Sequence, residues 1–170
     1  MGYTHYWYRH DHAPMSDHTR TRSHKAYANL SHDAMRICVR AIKNDIAIAD
    51  GNGEGFPEFS EHYFSLNGTS VYDLWHETFT WHALPIVPEW QTHDMELHNG
   101  KQGVFYCCKT ARKPYDAVVT AILLRALDHY TDDYGLLLTV SSDGNWDEWQ
   151  SGRDLYKQVF GTEPSRPDSI

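Results

Sequence analysis

The sequence predicts an α+β protein: a single two-layer domain with an antiparallel or mixed sheet and about three helices. Three observations carry this. A helical apolar stripe runs unbroken from Tyr115 to Tyr130, at spacing three, one, three, one. Several short runs rich in Tyr, Trp, Phe and Val sit between turn signals. Strand-like runs neighbour one another in the middle of the chain, which favours antiparallel pairing over alternating βαβ units. At 170 residues, with 41% hydrophobic and 14% aromatic content, the chain is sized for one domain with its own core. The domain is expected over residues 1–161, followed by a frayed tail at 162–170.

Gly2–Arg9 reads as a first strand and His10–Ser23 as a polar loop. A helix is expected from about Lys25 to Lys43, where Tyr27, Leu30, Ala34, Ile37, Cys38, Ala41 and Ile42 recur at helical spacing. Asp45–Ala49 is a short strand candidate, and Gly51–Gly55 reads as a turn. His62–Leu66 and Leu74–Trp81 read as strands, and Ala83–Gly103 mostly as loop. Gly103–Cys108 is a further strand. The helix from Pro114 to Tyr130 places proline at its first position and Asp116 at the positive end of its dipole. Leu136–Val140 reads as a buried strand, and Asp147–Phe160 as a last helix closed by Gly161.

Charge is distributed unevenly. The formal net charge is −8, and Asn44–Gly100 holds ten Asp and Glu with no Lys or Arg. That balance argues against general nucleic-acid or anionic-membrane binding. No apolar run is long enough to cross a bilayer, and the N-terminus does not read as a signal peptide. Three cysteines without a CxxC point to reduced thiols. The expectation is a cytoplasmic protein.

Against this acidic background Lys109, Arg112 and Lys113 cluster just ahead of a helix start. Unpaired backbone N–H groups there favour phosphate or carboxylate. Thr110 lies in the same junction, Tyr115 and Tyr106 offer stacking faces, and Asp116 opposes an anion placed beside it. The junction lacks the glycines of a P-loop, and it also reads as a solvated charged turn. Tyr6 and Trp7 on the first strand add ring faces. Glu77, within Trp75–Trp81, needs a partner on its aromatic-bearing face, with Arg112 or Lys109 as candidates. Ser142 and Asp143 lie in a Ser-Ser-Asp-Gly turn at a strand end.

Other chemistries have less support. Twelve histidines include His10-x-His12 and the His93…His98 segment, but neither HExxH nor a Cys/His ribbon occurs, and no metal or other cofactor is expected. His76-Glu-Thr78 and His129-Tyr-Thr131 have the form of a two-histidine phosphoesterase pair. Cys107 and Cys108 face opposite ways on a strand, and neighbouring cations would activate a thiol there.

The segments Gly2-Tyr-Thr-His-Tyr-Trp7, His76-Glu-Thr-Phe79, Cys108-Lys-Thr-Ala-Arg-Lys-Pro-Tyr-Asp116 and Ser141-Ser-Asp-Gly144 together resemble a family of small uncharacterised phage and prophage proteins. The resemblance covers most of Gly2–Gly161. It implies a viral accessory protein working in bacterial cytoplasm, with no established activity. The leading functional expectation is therefore a phage protein that binds and sequesters a small anionic ligand, a nucleotide-type defence signal first among them. A homo-oligomer is a further expectation. The alternatives are a nucleotide phosphodiesterase or hydrolase with His76 or His5 as base, and an inhibitor whose acidic Asp45–Glu96 surface covers a host protein.

Overall fold

The computed structural model describes residues 2–12, 15–89, 97–98, 101–132 and 135–170. The architecture is α+β, with antiparallel sheets and three α-helices among the described residues. The first strand, β1 (Thr4–Arg9), is followed by α1 (Asp17–Lys43), β2 (Ile48–Ala49), β3 (Glu58–Phe59) and β4 (Tyr63–Gly68). A 3-10 turn at Val71–Asp73 leads to β5 (Phe79–His82), then β6 (Leu97–His98), β7 (Lys101–Gln102) and β8 (Val104–Lys109). The chain ends with α2 (Asp116–His129), β9 (Thr131–Asp132), β10 (Gly135–Leu136), β11 (Leu138–Ser142) and α3 (Gln150–Phe160).

The N-terminal strand is central to its sheet. β1 pairs antiparallel with both β11 and β8, placing His5 between Ser142 and Cys108, and Trp7 between Val140 and Tyr106. Its alternation is complete: His5, Trp7 and Arg9 are buried, whereas Thr4, Tyr6 and Tyr8 stay half-exposed on the outer face. In the second sheet β4 pairs with β2, β3 and β5. Core aromatics bridge the two sheets, with Trp7 stacked on Trp81 and tilted against Phe79.

The helices cover the inner faces. On α2, Val118, Val119, Ile122, Leu123 and Ala126 are fully buried, and each larger side chain contributes about 1.5–3 kcal/mol by burial. Gly152 lets α3 approach α2: a Cβ there would fall 1.9 Å from Thr120 Oγ1. Asp33 binds the helices together by accepting Arg125 Nε at 2.7 Å, His129 Nε2 at 2.9 Å and Arg36 Nη1 at 3.0 Å. Burial alone would raise its pKa. The hydrogen bonds from His129, Arg125 and Arg36 outweigh burial and hold the carboxyl at about 2.

Arg9 and Asp11 form an ion pair inside the core, at 1% and 0% side-chain exposure. Arg9 Nε and Nη2 grip the two Asp11 oxygens at 2.7 and 2.5 Å. Nη1 donates to the His82 carbonyl at 2.9 Å, and the guanidinium lies over the Tyr130 ring at 4.5 Å. Ser23 of α1 donates to Asp11. One buried cation thus ties β1 to β5, and its carboxylate partner reaches α1.

Several boundaries depart from the expectations. Helix α1 begins at Asp17, inside the segment expected as loop, because Ser16 Oγ caps Thr19 N–H at 3.1 Å. The Leu74–Trp81 strand contracts to Phe79–His82, since 71–73 turn and Trp75–Glu77 lie outside the ladder. Helix α2 starts two residues after Pro114 because 110–116 form consecutive turns (Lys113 N–H to Thr110 O, Asp116 N–H to Lys113 O). Gly161 closes α3 in the left-handed conformation, as expected. The tail does not stand apart: Ser169 Oγ donates to Val140 O, and Ile170 is 9% exposed.

Two outcomes follow from the buried charges. Asp11→Ala strands Arg9 in the core and should lower the urea-unfolding free energy by about 3–5 kcal/mol, with Arg9→Met plus Asp11→Leu costing less than the single change. Asp33 has a folded pKa below its ordinary 3.8. Its stabilisation should therefore be complete above about pH 4 and disappear as pH falls towards about 2, a loss of about 2 kcal/mol. Asp33→Asn should flatten that acid limb in pH-dependent denaturation.

Candidate functional site

The structure gathers the ends of β1, β8, β11 and α2 at one edge of the molecule. His5, wholly buried, lies between Asp116 and Ser142: its Nε2 is 2.7 Å from Asp116 Oδ1 and its Nδ1 is 3.0 Å from Ser142 Oγ. Thr110 donates to the same Asp116 oxygen. With Nε2–H donating to the carboxylate, Nδ1 accepts the Ser142 proton. The Ser142 oxygen also accepts Gly144 N–H at 2.9 Å and Trp149 Nε1–H at 3.3 Å. Tyr3 and Trp149 hold the imidazole edge-to-face. Gly144 is needed because a Cβ would lie 2.0 Å from the Tyr3 hydroxyl. Burial, together with the Asp116 and Glu148 carboxylates, pushes the Tyr3 phenol up to about 12.

Around this network two turns with paired left-handed residues meet. Tyr72 and Asp73 have φ of 60° and 56°, and Ala111 and Arg112 have φ of 51° and 58°. Consecutive non-glycine residues in this region persist only where neighbours hold them. Lys113 Nζ clamps one turn to the other, reaching Asp73 O at 2.5 Å and Asp73 Oδ2 at 3.0 Å. Ala111 N–H reaches Tyr3 O at 3.1 Å.

The three cations differ in their surroundings. Arg112 pairs with Glu148 at 2.6 Å and lies over the Tyr3 ring at 3.9 Å. Lys113 pairs with Asp73. Among the described residues Lys109 faces no carboxylate within ion-pair distance, and its side chain lies against Gly2. Among the described residues Glu77 is not the partner of a cationic side chain. Its carboxylate accepts the Lys109 backbone N–H at 2.7 Å, and its N–H reaches Lys109 O. The open helix end is partly spent internally, since Asp116 is itself the anion at the start of α2.

The ring faces divide by burial. Trp7 and Tyr115 are sealed in the core, where Tyr115 Oη donates to Glu77 O at 2.7 Å, so neither presents a stacking face. Thr110 is likewise fully buried. Tyr106 stacks on Trp7, and its hydroxyl bonds the Ile86 backbone, so it supports the adjoining loop. Tyr6 remains on the outer sheet face, stacked with Phe105, and its hydroxyl donates to Asp143 Oδ1 at 2.9 Å. Strand register puts Lys109 on this same face, opposite Thr4. Beyond Glu77 stand His76, Trp75 at 41% exposure and Tyr72 at 89%. The sequence gives a signal for Trp75, which sits in the aromatic-flanked segment. Tyr72 has none, because its exposure follows from the left-handed turn.

The remaining motifs do not converge. Glu77, next to His76, meets Tyr115 at the start of α2, whereas His129 is the last residue of that 14-residue helix, about 20 Å long. They cannot form a phosphoesterase pair. Burial and then Glu77 raise the Cys107 thiol, and burial raises Cys108 further, so neither is an activated thiolate. Among the described residues no group of three or more His, Cys, Asp or Glu could hold a metal. His93 lies outside the described residues. No helix of the described residues is long and apolar enough to cross a membrane.

No protein-family model, curated protein or solved structure matches the chain.

His5→Phe keeps a ring between Tyr3 and Trp149 but leaves the Asp116 and Ser142 groups without their shared partner. The expected loss is about 2–3 kcal/mol in chemical denaturation, against about 1 kcal/mol for Thr110→Val.

Proposed function

We propose that the face centred on Lys109 binds a small anionic ligand with a flat ring, of the nucleotide class. The observation that carries this is the difference among the three clustered cations: Arg112 and Lys113 face carboxylates, and among the described residues Lys109 does not. Lys109 lies on the Tyr6–Phe105 face of the sheet, and its backbone pairs with Glu77 of the segment that carries exposed Trp75. A phosphate would meet Lys109, with exposed Arg112 exchanging Glu148 for it, and a base would lie on an aromatic face. Asp143 and Glu77 supply acceptors at the rim. Left-handed residue pairs in the two turns linked by Lys113 and Asp73 fit a pre-organised site. Bacterial cytoplasm is the setting that the resemblance to phage and prophage proteins implies, and sequestration of a host nucleotide signal is the role we propose there.

A hydrolytic reading rests on one observation, the Asp116–His5–Ser142 chain, which has the groups of an acyl-transfer triad. Binding stands ahead of it. His5 is sealed from solvent, and the Ser142 oxygen already accepts two N–H donors, which leaves no lone pair for attack.

Titration calorimetry with mono-, cyclic and oligonucleotides tests the assignment. Lys109→Ala should weaken the best ligand about tenfold or more, as expected for a charge-assisted contact. Lys109→Ala plus Arg112→Ala should abolish measurable binding with the melting temperature nearly unchanged. Unchanged affinity in the double variant overturns the site. Ligand recovered intact after heat denaturation supports sequestration, and chemically altered ligand supports hydrolysis.

A further inference from the structure

Helix α1 differs in character from the rest of the surface. It holds six of the chain's fifteen Lys and Arg, against Asp17 and the internally paired Asp33. Its outer face also carries an apolar stripe at helical spacing: Met35, Val39 and Ile42 are 47%, 49% and 44% exposed. The stripe continues past the helix to Phe56, 79% exposed, which lines a hollow of about 270 Å³ with Ile42 and Ile46. At the other end Met35 and Val39 line a groove of about 330 Å³ with Val159 of α3. Arg40 and Lys43 flank the helical half of this strip. The Phe56 half lies within Asn44–Gly100, where every fixed charge is negative, with Glu54 and Glu58 exposed beside it.

An apolar strip that is basic at one end and acidic at the other complements itself under a two-fold rotation. We propose that this strip is a homodimer interface: α1 of one copy lies antiparallel on α1 of the second, so that Arg40 and Lys43 of each face Glu54 and Glu58 of the other. Two-fold pairing makes each charge contact twice and covers both apolar halves. A parallel arrangement would place like charges together. The strip shares no residue with the Lys109 face, although Gly53, three residues before Phe56, packs against Trp75.

Sedimentation equilibrium tests this directly. The wild-type chain should sediment at twice the monomer mass at high micromolar concentration and dissociate as salt rises. Val39→Asp should weaken self-association roughly a hundredfold, since a charge enters the centre of the interface. Arg40→Glu with Lys43→Glu should be monomeric, and so should Glu54→Lys with Glu58→Lys. An equimolar mixture of these two variants should recover the dimer mass, a result that a merely structural role for these side chains would not give. Circular dichroism establishes that each variant is folded. A wild-type monomer at every concentration overturns the proposal, as does a mixture that stays monomeric. Binding of a monomeric wild type to phosphatidylserine vesicles, lost in Val39→Asp, would assign the strip to a membrane surface instead.

Discussion

The buried Arg9 guanidinium is the constraint on which the rest of the structure depends. A cation in a low-dielectric core is tolerable only if its donors are matched and its charge is met. Here the matching groups come from separate parts of the chain: Asp11, the carbonyl of His82 and the ring face of Tyr130. Satisfying Arg9 therefore fixes where β5 lies relative to β1 and where the end of α2 must stop. Ser23 extends the same requirement to α1 through Asp11. The surrounding apolar packing of Trp7, Trp81 and Phe79 supplies most of the burial energy. The directional bonds select one arrangement of those rings.

A second polar chain works at the opposite end of β1. His5 joins β11 and α2 through Ser142 and Asp116, and Thr110 adds the turn that precedes the helix. This network fixes the base of a turn that would otherwise relax from its left-handed conformation. Lys113 then carries the restraint to Asp73. The candidate face thus stands on a hydrogen-bonded base, with Lys109 on the Tyr6 face of the sheet and paired through its backbone with Glu77. The core spends its polar groups on mutual satisfaction. Chemistry directed at a ligand is left to the side chains above it.

Much of the architecture was legible in the chain. The α2 stripe gave a helix that agrees within two residues at its start and one at its end. The β1 alternation and the strand preceding Lys109 were equally readable, because period two and period 3.6 are local properties. The start of α1 was hidden by its polarity. Residues 17–24 face solvent along much of the turn, and a single Ser16 cap marks the boundary. Pro114 misled by two residues, since a proline suited to a helix start is equally suited to the turn before one.

What the sequence determined by itself was the fold class, the order of the main elements and the place where charge is concentrated. These depend on composition and periodicity, which neighbouring residues express without help from the rest of the fold. Tertiary structure alone decided which members of the charged cluster face outward with their charge unmet. The partners that neutralise Arg112 and Lys113 lie 36 and 40 residues away, at Glu148 and Asp73. It also decided that Trp7 and Tyr115 are core while Tyr72 and Trp75 are surface. Aromatic residues look alike in a sequence. Whether a ring is packed or presented is set by backbone turns and by long-range contacts that only the folded chain brings together.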